Sequence, residues 1–428
     1  MRFIDFMSRL RQMRRLVSQM GFSPIPSGIL ARFLCRDDKL NRPGDYTDPL
    51  IESRSKWMPD AKTIASQSRA ELNPPRDRPS NDCLQLHWIL PDAANRSGGG
   101  HMSIMRHIRF LEDRKHLQTI WLRPPWFHRS TEDARATLNA YQSIGDRVRV
   151  HFLPDRLEHI VGDAVIATDW WTVYPALAFS RIRERFYLVQ DFEPYFQPLG
   201  ANYVLAEKTY EAGLKCLCAG PWLTNKLREQ YGAWTHCWPL ACDSNFYYPD
   251  ASGAPLKSTP SRISFYYRPS TPRRLAELGL AAFDCLHKRG IEFHVDFFGE
   301  PVDVELPYSH TDHGSLLPQQ LGSLYRAADI GLVFSATNYS LIPLEMMACG
   351  LPVVELDWPT TRAVFPPEAV FFVEPKPSVI AERIENILTG SEDLQSRKKA
   401  AASYIDGLDW KKSSALVEKG LLEGLKLV

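Results

Sequence analysis

Arg268, Arg273 and Arg274 stand close together in Tyr-Arg-Pro-Ser-Thr-Pro-Arg-Arg (residues 267–274), between an apolar run and a helical stretch. Guanidinium groups leaving a strand end towards a helix N-terminus suit a diphosphate. Each fork bonds two oxygens, and the helix end adds partial positive charge. A solvated basic turn is the competing reading of this segment taken alone. Further on, residues 335–354 read Ser-Ala-Thr-Asn-Tyr-Ser-Leu-Ile-Pro-Leu-Glu-Met-Met-Ala-Cys-Gly-Leu-Pro-Val-Val. This is a loop after a buried-looking strand, followed by a helix with Glu345 in its first turn. A carboxylate there can accept hydrogen bonds from ribose hydroxyls, and the loop amides of Ser340, Leu341 and Ile342 can point at phosphate oxygens, with Tyr339 beside them a further donor-binding candidate. The bland alternative is a glutamate placed to complement a helix dipole. Gly350 is expected to end that helix in the left-handed conformation, with Pro352 stopping its return.

The first half offers a different chemistry. Asp169 precedes the pair Trp170 and Trp171, and Asp191 and Glu193 share the loop Gln-Asp-Phe-Glu (190–193). Carboxylates at strand ends can orient an acceptor hydroxyl or stabilise positive charge developing at a sugar's anomeric carbon, and indoles can stack on sugar faces. The competing reading makes the tryptophans core and the acids helix caps. Gly98, Gly99 and Gly100 follow the first apolar run, where backbone can approach a ligand closely; a flexible loop is the alternative. No Asp-x-Asp sequence stands in the loops expected to meet a donor, Asp303-Val-Glu305 being a near miss, and no His pair has helical ligand spacing. The expectation is a reaction without metal or cofactor, in which arginines neutralise charge. The eight cysteines include Cys216 with Cys218 and Cys237 with Cys242, neither pair at C-x-x-C spacing, so free thiols in a reducing cytoplasm are expected.

These groups need a scaffold, and the hydrophobic pattern supplies one. At 428 residues two domains are the natural division. Apolar runs at 84–90, 119–122, 148–153, 164–167, 186–189 and 214–218, with helical segments between several of them, predict a parallel sheet with covered faces. A second such unit follows the linker 250–260. Its strands are expected at 263–267, 293–298, 330–334, 353–356 and 369–373, and its helices at 275–289, 317–328, 344–349 and 378–389. Ligands of such sheets bind beyond the carboxyl ends of the strands, so both domains are expected to share one cleft. The predicted divisions are 1–81, an amphipathic helix and polar strap; 82–240, the first α/β domain; 241–402, the second; and 403–428, a tail. In residues 1–20 the apolar positions Phe3, Phe6, Met7, Leu10, Met13, Leu16, Val17 and Met20 make one helical stripe, with Arg2, Arg9, Arg11, Arg14 and Arg15 mostly off it. Such a helix can lie in a headgroup layer; docking on the protein's own surface is the alternative. The composition, 44% hydrophobic and 24% charged with net charge +1, argues against a nucleic-acid partner. No apolar run is long enough to span a bilayer.

Residues 324–335 through 345–354 resemble the donor-binding signature of retaining GT-B glycosyltransferases of family 4. Tyr-Leu-Val-Gln-Asp-Phe-Glu-Pro-Tyr-Phe (187–196) and Arg-Pro-Ser-Thr-Pro-Arg (268–273) are similar to a rhamnosyltransferase branch that includes the WsaF-type enzymes of bacterial surface glycan assembly. The resemblance implies a GT-B architecture of two doubly wound Rossmann-like domains across a cleft, here with an N-terminal helical extension. It implies that Arg268 and Arg273 or Arg274 hold the donor diphosphate, Glu345 the ribose, and His313-Gly314-Ser315-Leu316 the base. Gly99 and Gly100 then match the family's glycine-rich loop, and the tail from Trp410 crosses back onto the first domain. Asp191, Glu193 and Asp169 are the catalytic candidates. Many members carry a second glutamate eight positions before the ribose-binding one; here that position is Thr337. The departure fits a deoxysugar, and the favoured donor is dTDP-rhamnose. The expected acceptor is a lipid-linked or oligosaccharide glycan at the cytoplasmic face of the inner membrane. Alternatives are GDP-mannose or a UDP-sugar as donor, or a non-catalytic sugar-nucleotide-binding protein. A dinucleotide-dependent oxidoreductase is disfavoured because Asn-Arg-Ser-Gly-Gly-Gly-His (95–101) lacks G-x-G-x-x-G.

Overall fold

The computed structural model describes residues 83–92, 99–124, 127–250 and 259–427. All of them belong to one compact unit. The amphipathic stripe of residues 1–20, the polar strap and Gly98 lie outside the described residues.

The first domain contains β1 (Gln85–Pro91), α1 (Gly99–Asp113), β2 (Leu117–Arg123), α2 (Thr131–Tyr141), β3 (Val148–Phe152), β4 (Val161–Ala167), α3 (Trp170–Leu177), β5 (Arg181–Val189), α4 (Ala201–Lys208), β6 (Lys215–Ala219), α5 (Pro221–Tyr231) and β7 (Thr235–Trp238). Its seven strands are all parallel, in the order β3-β2-β1-β4-β5-β6-β7. The second domain has β8 (Ser261–Tyr267), α6 (Ala276–Lys288), β9 (Phe293–Gly299), β10 (Ser309–Asp312), α7 (Pro318–Ala327), β11 (Ile330–Leu332), α8 (Leu341–Ala348), β12 (Val353–Leu356), α9 (Pro359–Arg362), β13 (Phe371–Val373) and α10 (Pro377–Leu388). Its order is β10-β9-β8-β11-β12-β13, again all parallel. Strands such as β6 and β12 are buried over nearly their whole length, and apart from Lys215 and Glu355 they are apolar, because helices cover both faces.

Strand order reverses between β1 and β4 in one sheet and between β8 and β11 in the other. A crevice opens where neighbouring crossovers leave in opposite directions. The loops at these crevices hold Gly99 and Asp169 in the first domain, and Arg268 to Arg274 and Ser335 to Ser340 in the second.

Two helices follow the second sheet: α11 (Leu394–Asp406) and α12 (Trp410–Gly424). The latter packs on α1 and β7 of the first domain. Its fit depends on missing side chains: a Cβ on Gly420 would stand 2.7 Å from Leu217 Cδ2, and one on Gly424 2.4 Å from Phe186. Polar contacts fix its register. His107 Nδ1 meets Ser414 Oγ at 2.9 Å, and Glu418 accepts from Arg114 and His116. Complete burial lowers His107 to about 3, so its ring is neutral between edge contacts to Trp238 and Trp410.

Strands β7 and β10, both at sheet edges, carry no continuous apolar run and were absent from the predicted set. Strand β5 begins at Arg181, earlier than its apolar run, because Arg181 to Glu184 pair with β4 despite their charge. Gly350 takes φ +76° at the end of α8, the conformation expected of it.

Candidate active site

Arg268 and Arg274 leave the end of β8 on the cleft side. Arg268 Nε lies 3.3 Å from Glu300 Oε1, and its Nη1 is 3.4 Å from the Tyr266 hydroxyl. Arg274 Nη1 donates to Ser335 Oγ at 3.0 Å, and its guanidinium carbon stands 6.0 Å from the Tyr266 ring centre. Tyr266 thus lies under both arginines. The aromatic floor continues from Tyr266 to Phe298 (5.3 Å), Tyr325 (5.5 Å) and Tyr247 (6.1 Å between ring centres). Glu345 stands at its far end: its charge raises Tyr325 and Tyr247 after burial has done so.

Glu345 is 4% exposed, and its Oε2 has no hydrogen-bond partner among the described residues. Burial lifts its carboxyl to about 7, opposed by the nearby Tyr247 hydroxyl and the Arg106 charge. It occupies the second turn of α8. That helix begins at Ser340 without a side-chain cap, and the Ser340 hydroxyl is itself buried without a partner. An uncapped helix start beside a buried, unsatisfied carboxylate oxygen can take an anion and hydroxyl donors respectively. The first domain meets it at Gly99, where a Cβ would lie 3.5 Å from Leu341 Cδ1; Gly100 faces its own domain, with Gln190 Nε2 3.4 Å from where its Cβ would stand.

The stretch 313–316 closes the floor. His313 Nε2 bonds the fully buried Asp296 at 2.8 Å, while Arg262 Nε holds the other carboxylate oxygen at 2.8 Å. Gly314 takes φ +57° and its carbonyl accepts the Gly299 amide at 2.8 Å. Leu316 packs on the apolar cluster that includes Phe298 and Tyr325. Arg268 and Arg274 thus meet at Tyr266, from which a run of ring contacts leads towards Glu345; Gly314 is tied to the end of β9, and Gly99 of the first domain stands against Leu341 at the start of α8.

Five residues singled out in the sequence have structural partners that their spacing does not reveal. Tyr339 is 4% exposed and turned into the first domain, where its hydroxyl accepts the Leu240 amide at 2.7 Å. Its ring fills space that a side chain at Gly220 would occupy. Arg273 points away from Arg274: its guanidinium lies 3.9 Å over the Phe196 ring, and Nε is 3.9 Å from Asp191 Oδ2. Asp169 caps α3, accepting the Thr172 amide at 2.7 Å, and pairs with Arg123 at 3.3 Å. Glu193 is buried and accepts the Trp170 amide at 2.6 Å. Desolvation first, then the neighbouring Asp169, holds its carboxyl well above the usual carboxylate range. Asp191 spans the domains: Oδ2 accepts the Thr337 hydroxyl at 2.7 Å and Oδ1 the Asn338 amide at 2.9 Å. Each acid offered for catalysis thus has a structural task. Trp170 is core, 4% exposed and tilted on Trp171 with ring centres 4.2 Å apart.

Two groups escaped the sequence reading. Glu300 follows the last residue of β9 and secures both Arg268 and the Ser270 amide; its place after Gly299 at a strand end was the available signal. Glu355 on β12 is wholly buried. Desolvation raises it to about 8 against the pull of the Leu356 amide and the Arg274 charge. Inside an apolar run it gives no sign of facing an arginine.

Two doubly wound parallel domains, with both crossover crevices on one cleft and a terminal helix returning to the first domain, define the GT-B fold. The comparisons agree. Anabaena HepE, solved in complex with UDP-glucose, aligns with a TM-score of 0.60 at 15% identity, over 81% of this chain and 100% of that one. WaaG, a glycosyltransferase involved in lipopolysaccharide biosynthesis, aligns at 0.56 with 13% identity, over 79% and 99%. Sucrose-phosphate synthase from Thermosynechococcus elongatus gives 0.59 at 14%, over 78% and 97%. Within this class, residues 261–385 match the family model described as WsaF, C-terminal domain. The O-antigen biosynthesis protein RfbC of Myxococcus xanthus is 33% identical over 275 residues, 61% of this chain; the match spans about a fifth (21%) of that relative's length.

Proposed function

We propose that the chain is a glycosyltransferase of bacterial surface polysaccharide assembly, moving a sugar from a nucleoside-diphosphate donor onto a glycan acceptor. The observation that supports this reading is the set of Arg268 and Arg274 at Tyr266, the uncapped start of α8 and the unpartnered Glu345 oxygen, with Gly99 of the first domain against Leu341. Breaking a glycosyl–phosphate bond leaves negative charge on the departing diphosphate. Two guanidinium forks and the α8 amides would stabilise that charge without a metal ion. Glu345 would accept ribose hydroxyls and so fix the nucleoside end. The bare backbone of Gly99 would let the first domain close on the phosphates.

Retention of configuration follows if acceptor and leaving group share one face, with the departing phosphate taking the acceptor proton. The engagement of Asp169, Asp191 and Glu193 by other partners favours that route over a carboxylate base. Thr337 places no carboxylate beside the transferred sugar, which suits a methyl-bearing deoxysugar. Rhamnose from dTDP-rhamnose is the proposed donor, and a lipid-linked or oligosaccharide acceptor at the inner face of the inner membrane the proposed recipient. The test is calorimetry with dTDP, UDP and GDP, followed by turnover of the corresponding sugar nucleotides. The reading expects dTDP to bind most tightly and Arg274→Ala to weaken it at least about tenfold, through loss of a charge-assisted bond. No heat with any of the three nucleotides would overturn it.

A further inference from the structure

A cavity of about 630 Å³ lies between the segment after β5, α4 and α5 of the first domain and the loops after β8, β11 and β12 of the second. Its walls include the rings of Tyr195, Tyr203, Trp222 and Trp358, and its cations are Lys226 and Arg273. Neither Arg268, Arg274 nor Glu345 lines it.

Two features of this cavity need an explanation. The first is exposed apolar surface: Tyr195 is 44% and Trp358 40% exposed, and Leu199 at its rim 85%. Monomeric proteins rarely leave such groups clustered without a use. The second is its charge. No aspartate or glutamate lines it. Lys226 has no carboxylate within ion-pair distance among the described residues. Its ammonium lies over the Phe192 ring at 4.2 Å, near Tyr195 and Trp222 at 5.6 Å each, and touches only the neutral Gln230 oxygen at 2.7 Å. Burial, with Arg274 and Arg268 nearby, brings Arg273 down to about 10, so it stays charged at neutral pH. Asp191 compensates it only from 3.9 Å, and its Nε lacks a hydrogen-bond partner.

Aromatic faces with the Gln197 amide beside them match the alternating apolar and hydroxylated surfaces of a sugar ring. Two under-compensated cations select an anion. We infer that this cavity binds an acidic saccharide unit, one whose ring stacks on Trp222 or Trp358 while a carboxylate or phosphate on it meets Lys226 and Arg273. The glycosyltransferase reading supplies only the expectation that the ligand is a glycan. On that reading the unit belongs to a sugar substrate, and Thr337 in the cavity wall puts it beside the place of transfer.

Trp222 and Trp358 provide the probe. Tryptophan fluorescence and calorimetry on the full chain would compare trigalacturonic acid, glucose 1-phosphate and the neutral maltotriose. The inference expects a saturable response to an acidic ligand and at least about tenfold weaker binding of the neutral one. Response to trigalacturonic acid alone identifies a carboxylate-bearing sugar, and response to glucose 1-phosphate alone a phosphate-bearing one. Lys226→Met should abolish the preference for charge, and Trp358→Ala should weaken all binding while leaving the thermal transition in place. Equal binding of acidic and neutral sugars, an unchanged Lys226→Met profile, or no response to either acid overturns it. A dTDP titration of the wild-type chain separates this from the broader proposal: nucleotide binding without a saccharide response removes the acidic subsite alone.

Discussion

Glu345 joins the chemistry of the site to its stability. Its carboxyl is raised from about 4.5 to about 7 by burial, so the folded chain prefers the protonated form. The unfolded chain ionises near the ordinary value. Below that value the group contributes no difference. As pH rises from about 4.5 to about 7, keeping the charge buried destabilises the fold progressively, to a limit on the order of 3 kcal/mol. Ribose hydroxyls donate best to the ionised form, so ligand binding should follow the opposite trend and tighten through the same range. Glu345→Gln therefore has two expected effects. Its melting temperature should exceed that of the wild type at pH 8 and converge with it near pH 4.5, while nucleotide affinity at pH 8 falls at least about tenfold. Parallel melting and calorimetry at both pH values check this; a variant less stable than wild type at pH 8 would contradict the assignment. The glutamate was legible in the sequence because it sits on a short apolar helix after a buried strand. Its unusual ionisation was not, since it comes from burial by segments distant in the chain, which outweighs the opposing Tyr247 and Arg106.

At the scale of elements, the helices and strands next to these groups were the most readable part of the chain. β8, β9 and α8 announce themselves through largely apolar stretches closed by Arg268, Gly299 and Gly350. The directions of adjacent side chains were not readable. Arg273 and Arg274 are neighbours, yet the short 3₁₀ turn Pro272–Arg274 sends one over Phe196 and the other to Ser335. Strand edges β7 and β10 were missed for a related reason, because an edge strand with one neighbour need not be apolar. The returning helix α12 shows what close packing demands. With Leu217 and His236 2.7 to 2.8 Å from where a Gly420 Cβ would stand, Gly420→Leu should prise the helix from β6 and β7. Overpacking of this kind destabilises by about 1–3 kcal/mol, more than the helix propensity gained by replacing glycine. The expected result is a lower melting temperature with early proteolysis at residues 407–427. An unchanged melt would mean that the helix does not seat there.

Across the whole molecule, the two domains are fastened at a point that the sequence suggested for catalysis. Asp191 takes the Thr337 hydroxyl and the Asn338 amide, Asn338 Nδ2 donates to the Gln190 and Ala219 carbonyls, and Tyr339 bonds the Leu240 amide. One loop of the second domain thus inserts three consecutive residues into the first. Thr337 stands where the resembling family usually carries a glutamate, and a carboxylate there would face the Asp191 carboxylate at hydrogen-bond distance, repelling it. The threonine and the aspartate are therefore complementary choices: the carboxylate at this junction comes from the first domain. If Asp191 serves chiefly to set the domains in register, Thr337→Val and Asp191→Ala should act alike. Each removes hydrogen bonds to a buried charged group, worth about 1.5–3 kcal/mol apiece, and each should increase hydrogen exchange at residues 335–341 and 190–193 and enlarge the radius of gyration by small-angle scattering. Thr337→Glu should do so most strongly, because it adds like-charge repulsion. If instead Asp191 acts on the reacting sugar, Asp191→Ala alone should eliminate turnover while scattering stays at the wild-type value and Thr337→Val remains active. Measuring scattering, exchange and turnover on the same three variants decides between a carboxylate that reacts and one that holds the cleft in shape.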